Sequence, residues 1–448
     1  MMSAPQAKFT IAIVGGGIGG LALAVALAKT GTTFDVDIYE STASFGEIGA
    51  GLGVWPRVWN TLVSLGLEED LKARSTTMGE DGKMVYYKAD QAESINSGKS
   101  KQAMQFYHRA EFLKILEKHV PPSYRTHFGK RLVSYEDSSP DPIVLHFKDG
   151  TTAQCDMLVG ADGIRSAVRR AMFTALAAKA QDDALAATYR QCVDATWSGV
   201  VTYRALVQAD AFKADYPNHA ALSTPICYMG KHAIALSYPI SQGQLVNTVA
   251  LVVTPNARGT TYEGSWVTET DNDEMISYFS HWDPQVYALL KAMKNPSKWA
   301  VHELTRLPTF VSGRVALLGD AGHAMTPHLA SGAGQAVEDA LFLSTLLGQS
   351  ETTKATIPSA LAVYDEIRRP FAQHIQELSF KTGEIAWLDG PRTQSYSAEE
   401  CAAGRIPESV LQQTISEDMA GVQRWTWTTD PQADLKLAVE KLKAKVEL

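Results

Sequence analysis

Between Ile11 and Ala28 the chain reads IAIVGGGIGGLALAVALA, so glycines sit directly between one apolar run and another. Phe9 to Val14 is apolar and β-branched, which predicts a buried strand, and Leu21 to Lys29 is rich in Ala and Leu, which predicts a helix. Gly31 stops that helix, and the alternating segment Asp35 to Glu40 predicts a second strand ending in a carboxylate. A right-handed βαβ unit follows from this order. Within it, Gly15, Gly17 and Gly20 form G-x-G-x-x-G. The first glycine permits the turn, the second admits a pyrophosphate against the backbone, and the third lets helix and strand pack closely. A glycine-rich turn with nothing bound has the same local pattern. Glu40 follows the last glycine by about twenty residues, where an acid receives the hydroxyls of an adenosine ribose. An acid there repels the extra phosphate of NADP, so the motif points to FAD or NAD.

The remaining totals bound the partners. A chain of 448 residues, 45% hydrophobic and 20% charged, buries a large core and is expected to hold two or three domains. Its net charge of −8 supplies no basic surface for nucleic acid. Cys155, Cys192, Cys227 and Cys401 are too scattered for a metal quartet and too few for a disulfide scaffold, so they read as packing residues in a reducing compartment. The apolar stretch ending at Ala28 is glycine-broken and lacks the flanks of a signal peptide or membrane span. A cytoplasmic protein, monomer or homodimer, is expected.

Two later stretches separate FAD from NAD. Asp156 to Arg170, DMLVGADGIRSAVRR, is a short buried strand running into Asp162-Gly163. In RVALLGDAGHAMTPHLASGAGQAVEDA, Arg314 to Ala340, a buried strand ends at Gly319-Asp320, small residues follow, and a helix begins near Gly332 and Ala333. Small residues let backbone lie against a flat ring, Asp320 can hold a ribityl hydroxyl, and the helix N-terminus can face the pyrimidine edge of a flavin. An NAD-dependent dehydrogenase would leave this second region unused. Between about 186 and 304, strand-like segments such as Gly199 to Val207, Ile226 to Tyr238 and Leu245 to Val253 suggest an antiparallel sheet. Residues 76–104 read as polar and irregular, Tyr107 to His119 as helical, and Lys130 to Thr151 as a hairpin closing at Asp149-Gly150. The expected architecture is α/β. A discontinuous Rossmann-like FAD-binding domain takes residues 8–75, 105–185 and 305–360, a substrate domain 76–104 and 186–304, and a helical C-terminal segment 361–448.

Taken in this order, Gly15-x-Gly17-x-x-Gly20, Asp162-Gly163 and Gly319-Asp320 resemble the FAD-dependent aromatic hydroxylases of the para-hydroxybenzoate and salicylate hydroxylase type. The segment Arg424 to Asp430, RWTWTTD, resembles the C-terminal segment of the salicylate hydroxylase-like members. The resemblance implies that NAD(P)H reduces FAD and that O2 is activated as a flavin hydroperoxide, which hydroxylates a phenolic substrate. It further implies that Arg109 reaches the flavin, that Asp162 serves FAD and nicotinamide contacts, that Asp320 binds the ribityl chain and that Pro327 lies beside the ring. The chain departs from the family's P-x-x-G-x-G loop by carrying Ala330 where the first glycine stands. Arg204 and Tyr238 resemble the substrate-anchoring pair of fungal hydroxylases that dearomatise resorcinol-type polyketides of secondary metabolism. A guanidinium favours phenolate over phenol, which is the form an electrophilic oxygen attacks. A surface ion pair for Arg204 and a core position for Tyr238 are the plain alternatives. His328 and His232 can move a proton at neutral pH, although His232 also suits an exposed turn, and His323 reads as packing or capping its loop. Decarboxylating hydroxylation, as in salicylate hydroxylases, is the alternative outcome. A flavin halogenase is excluded because Trp425-Thr426-Trp427 lacks that family's continuation. A non-catalytic flavin-binding protein is the remaining rival.

Overall fold

The computed structural model describes residues 6–46, 51–76 and 81–447. Residues 47–50, inside the first piece expected for the cofactor domain, and 77–80 and 448, inside the other two expected units, lie outside the described residues. A six-stranded sheet forms the first layer, in the order Val311–Ser312, Val315–Leu317, Met157–Gly160, Thr10–Val14, Asp35–Tyr39, Arg125–His127. Its central pairs are parallel, with Val14 opposite both Tyr39 and Gly160. The glycine turn and the Ala161–Gly163 turn therefore leave the same sheet edge side by side. Strands buried on both faces read as continuous apolar runs, and Ile11 to Val14 is such a run. Two helices, Ile18–Lys29 and Gly332–Gly348, pack against one another over this sheet, with Leu23, Leu27, Leu343 and Leu347 in the shared core.

The second layer is an eight-stranded sheet in the order Val267–Glu269, Ser297–Glu303, Thr196–Gln208, Leu245–Val253, Ala233–Ile240, Ile226–Gly230, Lys83–Lys88, Ile95–Ala103. It departs from the sequence reading in two places. Residues 83–103 are two strands rather than irregular chain; register shifts and Gly98, at φ +129°, interrupt their alternation, which hides the period of two. Ile226 to Tyr238 is a hairpin, turned at Lys231-His232 with His232 at φ +62°, a backbone state few non-glycine residues adopt. Gln105–His108 is a strand before the helix Arg109–His119, and residues 132–155 form three strands, with Asp149-Gly150 joining the last two. Beyond Ile357 the chain is helical, from Ile357–Ala386 to Pro431–Val446, and the stretch Glu408 to Thr428 includes a widened π-turn at Thr414–Met419. Among the described residues no helix is long and apolar enough to cross a membrane, and no cluster of His, Cys, Asp and Glu could hold a metal ion.

Candidate active site

A cavity of about 830 Å³ lies between the two layers. One end runs along the glycine turn, the Ala161–Arg165 loop and the Leu318–Ala333 loop, and the other is walled by the eight-stranded sheet and the C-terminal helices. The cradle end fits an extended dinucleotide. Gly17 opens the helix Ile18–Lys29 with no side-chain cap, so first-turn N–H groups are left for an anion. At Gly15, φ is +110° and a Cβ would come 2.2 Å from the Ala161 oxygen; at Gly20 a Cβ would come 2.0 Å from the Gly15 oxygen. Only glycine permits both approaches. Glu40 accepts from the Gly16 N–H at 2.8 Å and from the Thr42 N–H at 2.8 Å. Burial raises its carboxyl, but these donors outweigh burial and hold it below its ordinary value.

The Leu318–Ala333 loop behaves as its residue types require. Gly319, at φ +62°, turns the chain into the short helix Asp320–His323, and Asp320 borders the cavity. The helix Gly332–Gly348 starts with Ser331, whose hydroxyl donates to the Leu329 carbonyl instead of capping the helix, so its first turn presents open N–H groups at Gly332 and Ala333. Pro327 and Arg109 border the same space, and burial lowers Arg109 from its ordinary value against the opposing pull of Asp320. Ala330 adopts φ +49°, ψ 36°, the left-handed state, so the loop keeps a glycine-like backbone with alanine in it.

Two sequence-derived roles change. The Asp162 carboxylate does not border the cavity: it accepts from the Ser166 hydroxyl, the Ala167 N–H at 2.7 Å and the Val168 N–H at 3.2 Å. It caps the helix Ala167–Ala178, while its neighbours Ala161 and Gly163 supply the cavity wall. His328 borders the cavity, but burial lowers it to about 3, so the ring is neutral and a poor proton acceptor near neutral pH. Neither of its nitrogens has a hydrogen-bond partner, and the ring packs edge-on to Trp387 at 5.0 Å. His232 lies at the hairpin turn with Nε2 3.2 Å from Asp389, outside the cavity wall. His323 packs as expected, completely buried against Asp339 at 2.5 Å.

Arg204 and Tyr238 lie at the other end. Both border the cavity, and Tyr238 stacks on Phe106 at 4.3 Å. Burial lowers Arg204, Tyr238 partly offsets this, and Arg109 adds to it. Burial raises the Tyr238 phenol beyond its ordinary value, so it stays a neutral donor. The Arg204 Nε is buried without a hydrogen-bond partner, its guanidinium 5.5 Å from the Trp299 ring. A buried cation short of a partner favours an anion in the cavity.

Sequence reasoning missed two groups that hold these loops. Arg169 donates to the Ile164 carbonyl at 2.6 Å and the Ala321 carbonyl at 3.2 Å, stapling the Ala161–Arg165 and Leu318–Ala333 loops together. Asp339 accepts from the Gly319 N–H at 3.1 Å and from Arg368 at 2.8 Å, and Arg368 and Arg57 share Glu338. Only their residue type, charge inside a buried helix face, could have signalled this.

A family model described as "FAD binding domain" matches residues 8–379. The chain is 34% identical to a salicylate hydroxylase of Pseudomonas putida, over 97% of this chain and 95% of that one. This chain belongs to the FAD-dependent aromatic hydroxylases. It is also 33% identical to a 6-methylsalicylate 1-monooxygenase of Aspergillus terreus, over 81% of this chain and 79% of that one. Among solved structures, a salicylate hydroxylase substrate complex superposes with TM-score 0.79 at 30% identity, covering 96% of this chain and 98% of the other. The NAD-dependent dehydrogenase reading is set aside by these matches, and the cradle is assigned to FAD.

Proposed function

We propose that this hydroxylase acts on a phenol, with NAD(P)H and O2 as co-substrates, and that Arg204 holds the substrate as phenolate while Tyr238 fixes its orientation. The observation that carries this reading is the buried, partnerless Arg204 Nε in the cavity that Tyr238 also borders. Bound FAD supplies activated oxygen. The chain's own residues do the rest: the guanidinium favours the charged form of the phenol, and the Tyr238 hydroxyl can donate to the same oxygen. Phenolate pushes electron density to its ortho carbons, and the carbon that gains oxygen passes through a hydroxydienone. If that carbon carries hydrogen, a proton leaves and the ring rearomatises. If it carries carboxylate, CO2 leaves with the same result. If it carries an alkyl group, nothing can leave and the product stays dearomatised. The likeness to salicylate hydroxylases favours the second outcome and the likeness of the Arg204 and Tyr238 pair favours the third.

Arg204→Ala should retain FAD and lose hydroxylation by roughly 10²-fold. Part of that loss should return at high pH, where the phenol ionises unaided, and Arg204→Lys should lie between. Full activity with an unchanged KM in Arg204→Ala overturns the assignment. Product mass, one oxygen gained with or without loss of CO2, identifies the outcome.

A further inference from the structure

The sheet that carries Arg204 has a second polar position at its far side. Pairing across neighbouring strands places Arg204 opposite Val249, Val249 opposite Leu236, Leu236 opposite Cys227, and Cys227 opposite Tyr86, and all five border the cavity. This row starts at a cation, crosses three apolar side chains and ends at a phenol. Four strand steps separate its ends, about 19 Å between backbones at the usual strand spacing. Side chains stand roughly perpendicular to a sheet, so the two ends remain farther apart than one aromatic ring can bridge.

At the far end Tyr86 pairs with Gln423, delivered from the helical C-terminal segment just past its π-turn. Gln423 Nε2 donates to the Tyr86 hydroxyl at 3.2 Å, and Gln423 Oε1 is buried without a partner. Both residues are almost fully buried, at 5% and 3% exposure, yet both border the cavity. With the amide as placed, the Tyr86 proton has no acceptor. With the amide turned over, Tyr86 donates to the amide oxygen and the amide N–H groups lack acceptors instead. The pair keeps a spare donor in either orientation. Burial raises the Tyr86 phenol, so it does not become a competing anion. A buried donor without an acceptor is costly unless a ligand supplies one.

We infer that Tyr86 and Gln423 form a second substrate anchor, and that the substrate is a phenol whose ring carries an apolar extension ending in a carbonyl or hydroxyl oxygen. The inference rests on the cavity being the phenol site and deepens that reading by giving the substrate a length and a far-end acceptor. Val249, Leu236 and Cys227 cover the extension, and Tyr86 or Gln423 donates to its terminal oxygen.

The test is a matched series of dihydroxyphenyl ketones: a methyl ketone, one with a saturated hexyl chain, and one whose hexyl chain ends in a hydroxyl. Binding to the FAD-loaded enzyme is read from perturbation of the flavin absorbance, which needs no turnover. The wild-type protein should bind the hydroxyl-ended ketone about fivefold or more tightly than the plain hexyl ketone. Tyr86→Phe, which removes a single oxygen, should bring that ratio close to one, and Gln423→Leu should narrow it. A merely structural role would weaken both ligands together and leave the ratio standing, which overturns the inference, as does a wild-type ratio near one. Hydroxylation of the same ketones is followed separately. If none is oxygenated, the proposed function fails while the binding ratio still decides the anchor; if the methyl ketone is oxygenated and the ratio is absent, the anchor fails and the hydroxylase reading stands.

Discussion

At the scale of single residues, Ala330 shows how a motif can change while its backbone does not. The residue holds φ +49° in a loop bordering the cofactor end, and its Cβ lies where a Cβ on Gly53 would come within 3.1 Å. The left-handed state costs an L-residue roughly 1–2 kcal/mol, part of which glycine returns as greater freedom in the unfolded chain. Ala330→Gly should therefore stabilise the FAD-loaded protein by up to about 1 kcal/mol in denaturant unfolding, with the flavin spectrum unchanged. A loss of stability would mean that packing of the methyl group outweighs the backbone strain. The same scale separates what the sequence told from what it did not. The three glycines and Glu40 were legible because each is required by a local backbone geometry. The neutrality of His328 was not, because it comes from burial by Trp387 and other side chains distant in the chain. Asp162 follows the same rule: a carboxylate at a turn suits a ligand or a helix cap equally well until the next helix is placed, and its carboxylate accepts from that helix's first N–H groups.

At the scale of elements, the helix Gly332–Gly348 does two jobs, and only one was visible in its sequence. Its open N-terminus was predicted from the glycines and the strand before them. Its buried charges were not, since Asp339 serves Gly319 and His323 at the two ends of one short turn and Arg368 on the helix Ile357–Ala386. Burial raises Asp339, but His323 and Arg368 outweigh that and hold its carboxyl down to about 2. A carboxyl held below its unfolded value contributes stability that is present above the unfolded pKa, near 4, and fades as pH falls toward 2. Asp339→Asn keeps the shape but leaves Arg368 without one of its anions, and breaking a buried pair typically costs about 3–5 kcal/mol. The variant should melt earlier at pH 7, with the deficit shrinking toward pH 2. It should also release FAD more readily, because the Gly319 N–H loses a charged acceptor. Equal flavin retention by variant and parent would show that this helix does not set the loop.

At the scale of the whole molecule, the cavity belongs to no single stretch of chain. Gly17, Gly53, Gly163, Asp320 and Gly332 reach it from the cofactor side, and Tyr86, Arg204 and Gln423 from the other. Motif reading found all of the first set but Gly53, because each of the others carries a local signature. It missed Tyr86 and Gln423 because their significance lies in a register across five strands and a helix from the far end of the chain. A ligand held by segments this far apart in sequence is held by the folded state and not by the unfolded one, so FAD should stabilise the fold by mass action. At a free concentration one hundred times its dissociation constant the gain is about 2.7 kcal/mol, and the melting temperature should climb with each further addition. Hydrogen exchange then tests whether one molecule spans the cradle. On adding FAD to stripped protein, amides of 15–20, 51–54 and 328–333 should slow together, since the pyrophosphate end and the ring end are ordered in one event. Slowing confined to 15–20 would mean that only the adenosine half is gripped, and would sever the link between the glycine turn and the proposed phenol site.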